Sequence, residues 1–369
     1  MKRVIISGGG TGGHIYPAIT IYKKIKELAP NTEFLYIGTE KGLESQLVPN
    51  EGIPFKTLPV QGLQRQISLS TLVTGIKSLV SMVKAFGIVT SFKPDVVIGT
   101  GGYVCGPILM AAALMKVPTI IQEQNVVAGI TNKLLSKVVD VVAVGYEEAK
   151  HSFKNNEKVV YTGNPVRPEV LIDTREEGRA YFNLSDEDFT VLVAGGSRGA
   201  RSINQAMIEV HKYFKDKPGI KIIHVTGSGE YGRVKEELGV KEDEPYSSSS
   251  EILPYLHEMP KALAATDLAV FRAGAVGLAE LTVRGIPSIL IPYPYAAEDH
   301  QTYNAHALVS AGAARIIVDK MLTAEELISE IEGFIKNRSE LARMAAAAKS
   351  LGKPEAAKDI ATLALSIAK

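Results

Sequence analysis

Short apolar segments rich in β-branched residues recur along the whole chain, and they limit its possible folds more than any other feature. Each is apolar at nearly every position, as in "RVIIS" at 3–7 and "TVLVAGG" at 190–196. Roughly 10 to 20 residues with a helical pattern separate one segment from the next. Strands that are apolar on both sides belong to parallel sheets covered by helices on both faces. The sequence therefore predicts an α/β fold built from parallel sheets.

The chain repeats one arrangement in two halves. "VIISGGGTGG" at 4–13 and "VLVAGGSRGA" at 191–200 each predict a strand, a glycine-rich turn and the start of a helix. The 369 residues exceed what one core usually holds, and the prolines and glycine of "GNPVRPEV" suit a linker. We therefore predict an N-terminal domain at 1–164 and a C-terminal domain at 165–353. An alanine-rich helix at about 354–369 is expected to pack back across one of them.

Composition narrows the class of protein. The single cysteine, Cys105, excludes an internal disulfide and fits a reducing cytoplasm. The net charge of +1 does not indicate nucleic-acid binding, and the longest apolar stretch, 107–115, is far shorter than a bilayer span. Residues 1–164 hold 17 Lys and Arg against 11 Asp and Glu, whereas residues 165–369 hold 24 against 29. This difference in charge between the halves either arises by chance or indicates that the basic N-terminal half faces an anionic partner.

Three glycine-rich loops follow predicted strands, at 8–13, 98–107 and 194–200. The first has the G-x-G-x-x-G spacing of dinucleotide-binding loops, which also need an acidic residue at the end of the second strand. Glu33 precedes that strand and Glu40 lies beyond it, so the dinucleotide fingerprint is incomplete. Taken singly, any one of these loops is explained as a tight strand-to-helix turn with no ligand. Three of them, each with backbone N–H groups before a helix N-terminus, favour a phosphorylated or polyhydroxylated ligand.

The segment 271–306 adds polar residues suited to a nucleotide sugar. Arg272 and Gly274 lie at a predicted strand-to-helix turn, where a diphosphate would meet a guanidinium and the helix dipole. Glu280 lies further along that helix, on a face that can reach a ribose diol. Gln301 follows in a polar loop that suits sugar hydroxyls. The sequence therefore predicts a nucleotide-sugar site in the C-terminal domain.

Together these motifs resemble the MurG family of bacterial peptidoglycan glycosyltransferases. The resemblance covers essentially the whole chain, through "SGGGTGGHIYPA", "GTGGYVCGP", "QEQN", "GNPVR", "GGSRGA", "RAGA" and "HQTYNA". It implies a GT-B fold, in which two Rossmann-like parallel-sheet domains face each other across a cleft. It also implies an inverting transfer of N-acetylglucosamine from UDP-N-acetylglucosamine to lipid I, the undecaprenyl-linked muramyl-pentapeptide. The product is lipid II, formed at the 4-hydroxyl of N-acetylmuramic acid.

The resemblance also assigns residues to the substrates. Arg167 and Ser197 are expected to face the donor diphosphate, and the backbone at Leu256, with Ile252 as second choice, to meet uracil. Glu280 is expected on the ribose hydroxyls and Gln301 on the N-acetylglucosamine hydroxyls. The other expected contacts are Arg272, Gly274 and Ala275 in the C-terminal domain and Thr11, Gly12, Gly13 and Asn125 in the N-terminal domain.

Two positions depart from the family pattern. Gln122 stands where the family often has histidine, which puts a catalytic role for that position in doubt. Ala273 stands where the family often has serine, which removes one possible hydroxyl contact to phosphate.

Inverting transfer needs a base for the acceptor hydroxyl and stabilisation of the departing UDP. We predict His14 as the base, because it follows the first glycine loop and an imidazole titrates near neutral pH. A role in binding or in holding the loop is about equally compatible with its position, and Glu123 and Tyr103 are the reserve candidates. No Asp-x-Asp metal motif is present. We therefore expect no metal or other cofactor, with Arg167, Arg272 and helix N-termini stabilising the leaving group.

The acceptor implies work at the cytoplasmic face of the cell membrane, as a peripheral protein on an anionic surface. Apolar residues at 72, 76, 79, 80, 83 and 86 form a helical stripe, with Lys77 and Lys84 expected on another face. Arg65, Lys93 and Lys116 add positive charge nearby. This pattern is also typical of a helix packed on a sheet.

Three other functions fit parts of the pattern. A UDP-N-acetylglucosamine 2-epimerase and a GT-B transferase with another lipid or small-molecule acceptor would use a similar fold. An NAD-dependent oxidoreductase is disfavoured by the missing ribose acid.

Overall fold

The structure is a computed structural model that describes residues 1–60, 69–196, 199–240 and 244–369, and only the backbone at 69–78 and 156. It divides into two compact units. The N-terminal unit comprises residues 1–166 together with 353–369, and the C-terminal unit comprises residues 167–352.

In the N-terminal unit, seven described strands form one parallel sheet in the order β3-β2-β1-β4-β5-β6-β7. The strands are β1 (Arg3–Ser7), β2 (Glu33–Gly38), β3 (Phe55–Thr57), β4 (Val96–Gly99), β5 (Thr119–Glu123), β6 (Val141–Val144) and β7 (Val159–Tyr161). The helices are α1 (Gly12–Leu28), α2 (Glu44–Asn50), α3 (Leu69–Phe92), α4 (Cys105–Leu114) and α5 (Ile130–Leu135), and two 3-10 turns span Glu147–Ser152 and Asn156–Lys158. The strand order reverses between β1 and β4, so the loops that follow these two strands start side by side.

Both faces of this sheet are buried, as the doubly apolar strands predict. Along β1, Val4 and Ile6 pack in a cluster with Ile15 and Ile21 of α1, while Ile5 packs on the opposite face in a cluster that also contains residues of α3 and α4. Alternating side chains of one strand therefore fill two separate layers.

The C-terminal unit repeats the plan with six described strands in the order β10-β9-β8-β11-β12-β13. They are β8 (Phe189–Ala194), β9 (Ile220–Val225), β10 (Ser250–Leu253), β11 (Leu268–Phe271), β12 (Ser288–Leu290) and β13 (Ala314–Ile316). The helices are α6 (Pro168–Ile172), α7 (Arg175–Tyr181), α8 (Arg201–Tyr213), α9 (Tyr231–Glu237), α10 (Met259–Ala265), α11 (Ala275–Arg284), α12 (His300–Ser310), α13 (Ala324–Lys336) and α14 (Arg338–Leu351), with 3-10 turns at Ala297–Asp299 and Asp319–Met321. Here the order reverses between β8 and β11, which brings the loop after β8 next to the turn after β11.

The last helix, α15 (Ala356–Ile367), returns to the N-terminal unit and packs on α1. Ile360, Ala361 and Ala364 join the apolar cluster that contains Ile15 and Ile21. The alanines keep this face of the helix small enough for close contact with α1. None of the described helices is long and apolar enough to cross a membrane.

Candidate functional site

The first glycine loop runs from β1 into α1 and holds His14 in a defined orientation. The His14 Nδ1 lies 2.9 Å from the Gly9 carbonyl oxygen. A carbonyl oxygen only accepts hydrogen bonds, so Nδ1 carries the proton, and the neutral ring has its lone pair on Nε2. That tautomer is the one a general base needs.

The second glycine loop packs directly against the first and against the His14 ring. The Gly9 N–H donates to the Gly101 carbonyl at 3.2 Å, and the Thr100 hydroxyl donates to the His14 carbonyl at 2.7 Å. Gly101 has φ of +110°, and a Cβ there would lie 2.7 Å from His14 Cδ2. Glycine is therefore required at 101 both by the backbone conformation and by the imidazole beside it.

A buried carboxylate that the sequence does not indicate, Glu44, accepts a hydrogen bond from the first glycine loop. Glu44 Oε2 accepts from the Gly10 N–H at 3.0 Å, and Oε1 accepts from the Thr39 N–H at 3.0 Å and from its hydroxyl at 2.7 Å. Burial acts to raise the pKa of this carboxyl, but the hydrogen bonds from Thr39 and Gly10 outweigh it and leave the pKa below its ordinary value. Glu44 also fills the space beside Gly9, where a Cβ would come 2.5 Å from Oε1. A charged Glu44 thus fixes the loop that orients His14.

Thr11, Gly12 and Gly13 lie at the start of α1. Thr11 is the N-cap residue, and its side chain makes no capping hydrogen bond in the structure. Since the first turn of a helix has N–H groups without intrahelical partners, the backbone at Gly12 and Gly13 is suited to oxygen ligands.

Glu123 and Asn125 lie at the carboxyl end of β5. The Glu123 carboxylate accepts from the Asn125 N–H, the Asn125 amide, the Gly129 N–H and the Asn132 amide, at 2.9 to 3.1 Å. Its side chain is buried, and these bonds order the loop into α5. Among the reserve candidates, Tyr103 differs in being 56% exposed.

Gln122 belongs to a buried amide network. Its Nε2 donates to Asn164 Oδ1 at 2.9 Å, and the Asn164 amide donates to the Gln124 carbonyl at 2.9 Å. Gln124 in turn donates to the Thr100 carbonyl at 2.6 Å, which links β5 to the second glycine loop. The glutamine at this departure from the family pattern therefore has a structural partner of its own.

In the C-terminal unit, Arg167 and Glu280 form a bidentate ion pair. Arg167 Nε lies 2.8 Å from Glu280 Oε1, and Nη2 lies 3.1 Å from Oε2. Glu280 is buried on α11, and Arg167 is the N-cap residue of α6. From the sequence, Arg167 is expected at the diphosphate and Glu280 at the ribose, and in the structure the two side chains bind each other.

Arg272 is held by oxygens of the protein. Its guanidinium donates to the Ile291 carbonyl at 3.0 Å, the Pro292 carbonyl at 3.1 Å, Asp319 at 2.5 Å and the Ser202 hydroxyl at 2.9 Å. These four partners occupy most of its donors, so Arg272 orders the loops after β12 and β13 as well as carrying charge near the turn after β11.

Gln301 is oriented by two backbone donors. The Ala273 N–H and the Tyr293 N–H donate to its Oε1 at 3.2 and 2.9 Å. Because both partners are N–H groups, the oxygen is fixed on that side and the amide nitrogen points to the other. Gly274 caps α11 next to it, with Ala275 as the first helical residue and open space where a Gly274 side chain would lie.

The third glycine loop follows β8. Gly196 and Gly199 have φ of +90° and +74°, and a Cβ on Gly199 would collide with the Thr226 carbonyl oxygen. Ser197, predicted to face the diphosphate, lies outside the described residues. The two uracil candidates differ in burial: Leu256 is buried after β10, and Ile252 is half-buried within it.

The described residues contain no group of three or more His, Cys, Asp or Glu side chains able to hold a metal ion.

Sequences of known proteins match this chain over most of its length. The profile described as "Glycosyltransferase family 28 N-terminal domain" matches residues 4–144, and that described as "Glycosyltransferase family 28 C-terminal domain" matches residues 190–360. The chain belongs to glycosyltransferase family 28. It is therefore a glycosyltransferase, which confirms the fold class and the type of enzyme predicted from the sequence.

Relatives within the family carry a more specific name. A protein of Thermoanaerobacter sp. (strain X514) is 48% identical over 99% of this chain and 100% of its own. One of Halalkalibacterium halodurans is 45% identical over 100% of both chains. Both are named UDP-N-acetylglucosamine–N-acetylmuramyl-(pentapeptide) pyrophosphoryl-undecaprenol N-acetylglucosamine transferase.

Solved structures agree with this assignment. The crystal structure of Acinetobacter baumannii MurG has a TM-score of 0.78 and 29% identity, covering 99% of this chain and 100% of that one. A UDP-GlcNAc 2-epimerase from Neisseria meningitidis has a TM-score of 0.70 with 15% identity, at 99% and 100% coverage. At that identity the epimerase shares the fold alone. The resemblance to MurG seen in the sequence motifs is thus confirmed at the level of the family.

The family 28 assignment leaves the roles of single residues as predictions, but the structure groups them. In the N-terminal unit, two glycine loops meet at His14, with Thr11 to Gly13 beside it. In the C-terminal unit, Gln301 accepts from Ala273 in the turn after β11, which leads into Gly274, the N-cap of α11. Glu44 is not indicated by the sequence, because it is buried and lies 30 residues along the chain from His14. Only a prediction that α2 packs against the first glycine loop would have pointed to it.

Proposed function

We propose that this family 28 chain transfers N-acetylglucosamine from UDP-N-acetylglucosamine to the 4-hydroxyl of N-acetylmuramic acid in lipid I, giving lipid II for peptidoglycan synthesis. The observation that carries this proposal is the 44 to 48% identity, over nearly full length, to transferases named for that reaction. The chain is accordingly an inverting N-acetylglucosaminyltransferase whose donor is UDP-N-acetylglucosamine.

The N-terminal unit supplies the base. His14 Nε2 removes the proton from the acceptor hydroxyl as its oxygen attacks C1 of the N-acetylglucosamine from the side opposite UDP. The bond from C1 to the diphosphate oxygen breaks, its electron pair leaves with UDP, and the configuration at C1 is inverted. The hydrogen bond from Nδ1 to the Gly9 carbonyl stabilises the imidazolium that forms. The backbone at Gly12 and Gly13 contacts acceptor oxygens, and Asn125 and Thr11 complete this half.

The C-terminal unit holds the donor. The N-terminus of α11 at Gly274 and Ala275, together with the third glycine loop, receives the diphosphate, whose charge grows as UDP departs. Each Glu280 oxygen that accepts from Arg167 keeps a second lone pair, which accepts from a ribose hydroxyl. The Gln301 amide nitrogen donates to a sugar hydroxyl, and the backbone near Leu256 contacts uracil. Catalysis on this scheme proceeds without a metal ion.

The test is a transfer assay with radiolabelled UDP-N-acetylglucosamine and a soluble-tail lipid I analogue, with EDTA present. We expect labelled disaccharide from the wild type, and about a 100- to 10,000-fold lower kcat for His14→Ala with donor affinity retained. Formation of the donor's 2-epimer without disaccharide would replace this function with that of an epimerase. A His14→Ala variant with unchanged kcat would remove His14 from the role of base.

The membrane surface lies on the N-terminal unit in this proposal. Leu79 and Val83 of α3 are 68% and 66% exposed, and Leu114 and Ile130, from the adjoining α4 and α5, are 63% and 60% exposed. Exposed Lys84 lies four residues after exposed Val80, on the same side of α3 and not on the separate face expected from the pattern. The side chains of 72, 76 and Lys77, and the whole of Arg65, lie outside the described residues.

An exposed apolar group bordered by lysine suits the anionic cytoplasmic leaflet. Sedimentation with phosphatidylglycerol vesicles tests this location. We expect the Val83→Asp/Lys84→Glu variant to bind several-fold more weakly, while Lys336→Glu, an exposed change in the C-terminal unit, behaves as wild type. Equal binding of all three proteins would contradict the location.

A further inference from the structure

Two histidines are completely buried in the C-terminal unit and hydrogen-bonded to each other. His211 lies on α8 and His224 on β9, and His211 Nε2 lies 3.0 Å from His224 Nδ1. His211 Nδ1 lies 2.9 Å from the Ser250 hydroxyl, and His224 Nε2 lies 3.0 Å from Asn204 Oδ1. We call these four side chains the buried histidine chain.

The direction of each hydrogen bond in the buried histidine chain is determined. Asn204 Nδ2 donates to the Thr226 carbonyl at 2.9 Å, which fixes Oδ1 towards His224. His224 Nε2 must then carry a proton and its Nδ1 must accept from His211 Nε2. His211 Nδ1 is left to accept from the Ser250 hydroxyl.

With both rings neutral, each hydrogen bond in the buried histidine chain has one donor and one acceptor. An extra proton on His224 would lie on Nδ1 and face the N–H of His211 Nε2. An extra proton on His211 would lie on Nδ1 and face the Ser250 hydroxyl oxygen, which can rotate to accept it. Burial lowers the pKa of His211 to about 3 and lowers that of His224 well below its ordinary value, so both rings stay neutral at physiological pH.

Asn204 connects the buried histidine chain to Thr226. Thr226 contacts two segments assigned to the donor, the third glycine loop and the segment predicted to meet uracil. The Thr226 carbonyl that accepts from Asn204 lies against Gly199 of the third glycine loop. The Thr226 N–H and hydroxyl both donate to the Leu253 carbonyl, at 2.9 and 3.1 Å, and Leu253 lies between Ile252 and Leu256, the two residues predicted to meet uracil. Asn204 itself lies on the helix that follows the third glycine loop, and its N–H donates to the Ala200 carbonyl at 2.9 Å.

We infer that the buried histidine chain is a positioning device for the donor nucleotide: it fixes Thr226, and through Thr226 it sets the spacing between the third glycine loop and the backbone that reads uracil. This inference rests on the proposed function for the location of the donor. Its residues act through Thr226 and do not touch the substrate. The inference therefore predicts an effect on nucleotide affinity and base selectivity, which a general contribution to core stability would not produce.

The experiment measures the Kd of UDP and of CDP by calorimetry on the full chain, without acceptor. Asn204→Leu removes the donor to Thr226 with little change of shape. Thr226→Val removes only the hydroxyl that holds Leu253 and keeps its N–H bond. Ser288→Ala is the matched control, because Ser288 is a fully buried polar residue on β12 whose hydroxyl makes no hydrogen bond.

We expect both test variants to bind UDP about 2- to 10-fold more weakly, which is the value of one hydrogen bond. The affinity for CDP should fall less, so that the ratio of the CDP Kd to the UDP Kd decreases. Ser288→Ala should bind UDP as the wild type does. Unchanged UDP affinity and selectivity in Thr226→Val would overturn the inference even if Asn204→Leu fails to fold. Equal weakening in Ser288→Ala would also overturn it, as a general effect on the core.

The inference and the proposed function fail separately. If the wild type binds UDP but makes no disaccharide, the proposed transfer is wrong, and the positioning role still holds if the variants behave as expected. If the wild type transfers sugar normally and the variants bind UDP normally, only the positioning role is wrong.

Discussion

Glu44 is a single buried carboxylate that holds the first glycine loop, the loop that leads into His14. Its two oxygens accept three hydrogen bonds, from Gly10 and from the backbone and side chain of Thr39. The Gly9 carbonyl, next to Gly10, is the acceptor that sets the His14 tautomer. The orientation of His14, the proposed base, therefore depends on a carboxylate 30 residues away along the chain.

Glu44→Gln is expected to weaken this loop, because an amide has one acceptor oxygen and places N–H groups against a backbone N–H. One unsatisfied buried donor costs about 1–3 kcal/mol, so the melting temperature should fall by several degrees and kcat should fall with it. Calorimetric melting and the transfer assay measure the two effects. Glu40→Gln, an exposed change nearby, is the control. A Glu44→Gln variant with wild-type kcat would show that the loop does not need the carboxylate.

At the scale of elements, the strands with continuous apolar segments were predictable and the short edge strand was not. Each of the six described strands of the C-terminal unit overlaps a segment that the sequence marks as a strand: "TVLVAGG", "IKIIHVTG", "SSEIL", "DLAVF", "PSILIP" and "ARIIVD". β3 (Phe55–Thr57) was missed, because its exposed Lys56 and Thr57 lack the doubly apolar pattern that burial imposes on central strands. Likewise the glycine loops were predictable from their composition, but their contact was not, since it depends on the reversal of strand order between β1 and β4.

The candidate site shows the same division. His14 and Gln301 carry recognisable motifs, and the structure adds only their orientation. The pairing of Arg167 with Glu280 joins residues 113 positions apart, and no local pattern indicates it. Such pairs are selected by tertiary packing, which a single sequence does not display.

The contact between the two glycine loops leads to a prediction. Gly101→Ala introduces a Cβ at a φ of +110° and 2.7 Å from His14 Cδ2, so the imidazole must shift. Because displacement of a catalytic group by about 1 Å can cost roughly 100-fold, kcat should fall to that extent while the Kd of UDP is unchanged. Gly106→Ala, in α4 with open space around the position, should leave kcat unaltered. Equal kcat values for the two variants would contradict the placement of His14.

At the scale of the whole molecule, each unit has its own sheet and its own core, so acid should act on them separately. The buried histidines belong to the C-terminal unit, and Glu44 belongs to the N-terminal unit. The pKa of His211 is lowered by burial to about 3, and that of His224 is lowered well below its ordinary value by burial and by the neighbouring His211. In the unfolded chain both imidazoles bind protons near pH 6.5, so the unfolded state takes up protons that the folded unit excludes.

Above pH 6.5 the buried histidines therefore do not lower the free energy of unfolding of the C-terminal unit. As the pH falls from 6.5 towards 3, that free energy declines. The slope approaches about 1.4 kcal/mol per pH unit for each histidine, or about 2 kcal/mol each by pH 5. The pKa of Glu44 is also lowered, but its stabilising contribution is lost only as the pH falls below about 4.5. Amide hydrogen exchange at pH 7 and pH 5 should show the C-terminal unit losing protection first. His211→Gln should reduce that loss, and an unchanged loss in a folded His211→Gln variant would place the acid sensitivity elsewhere.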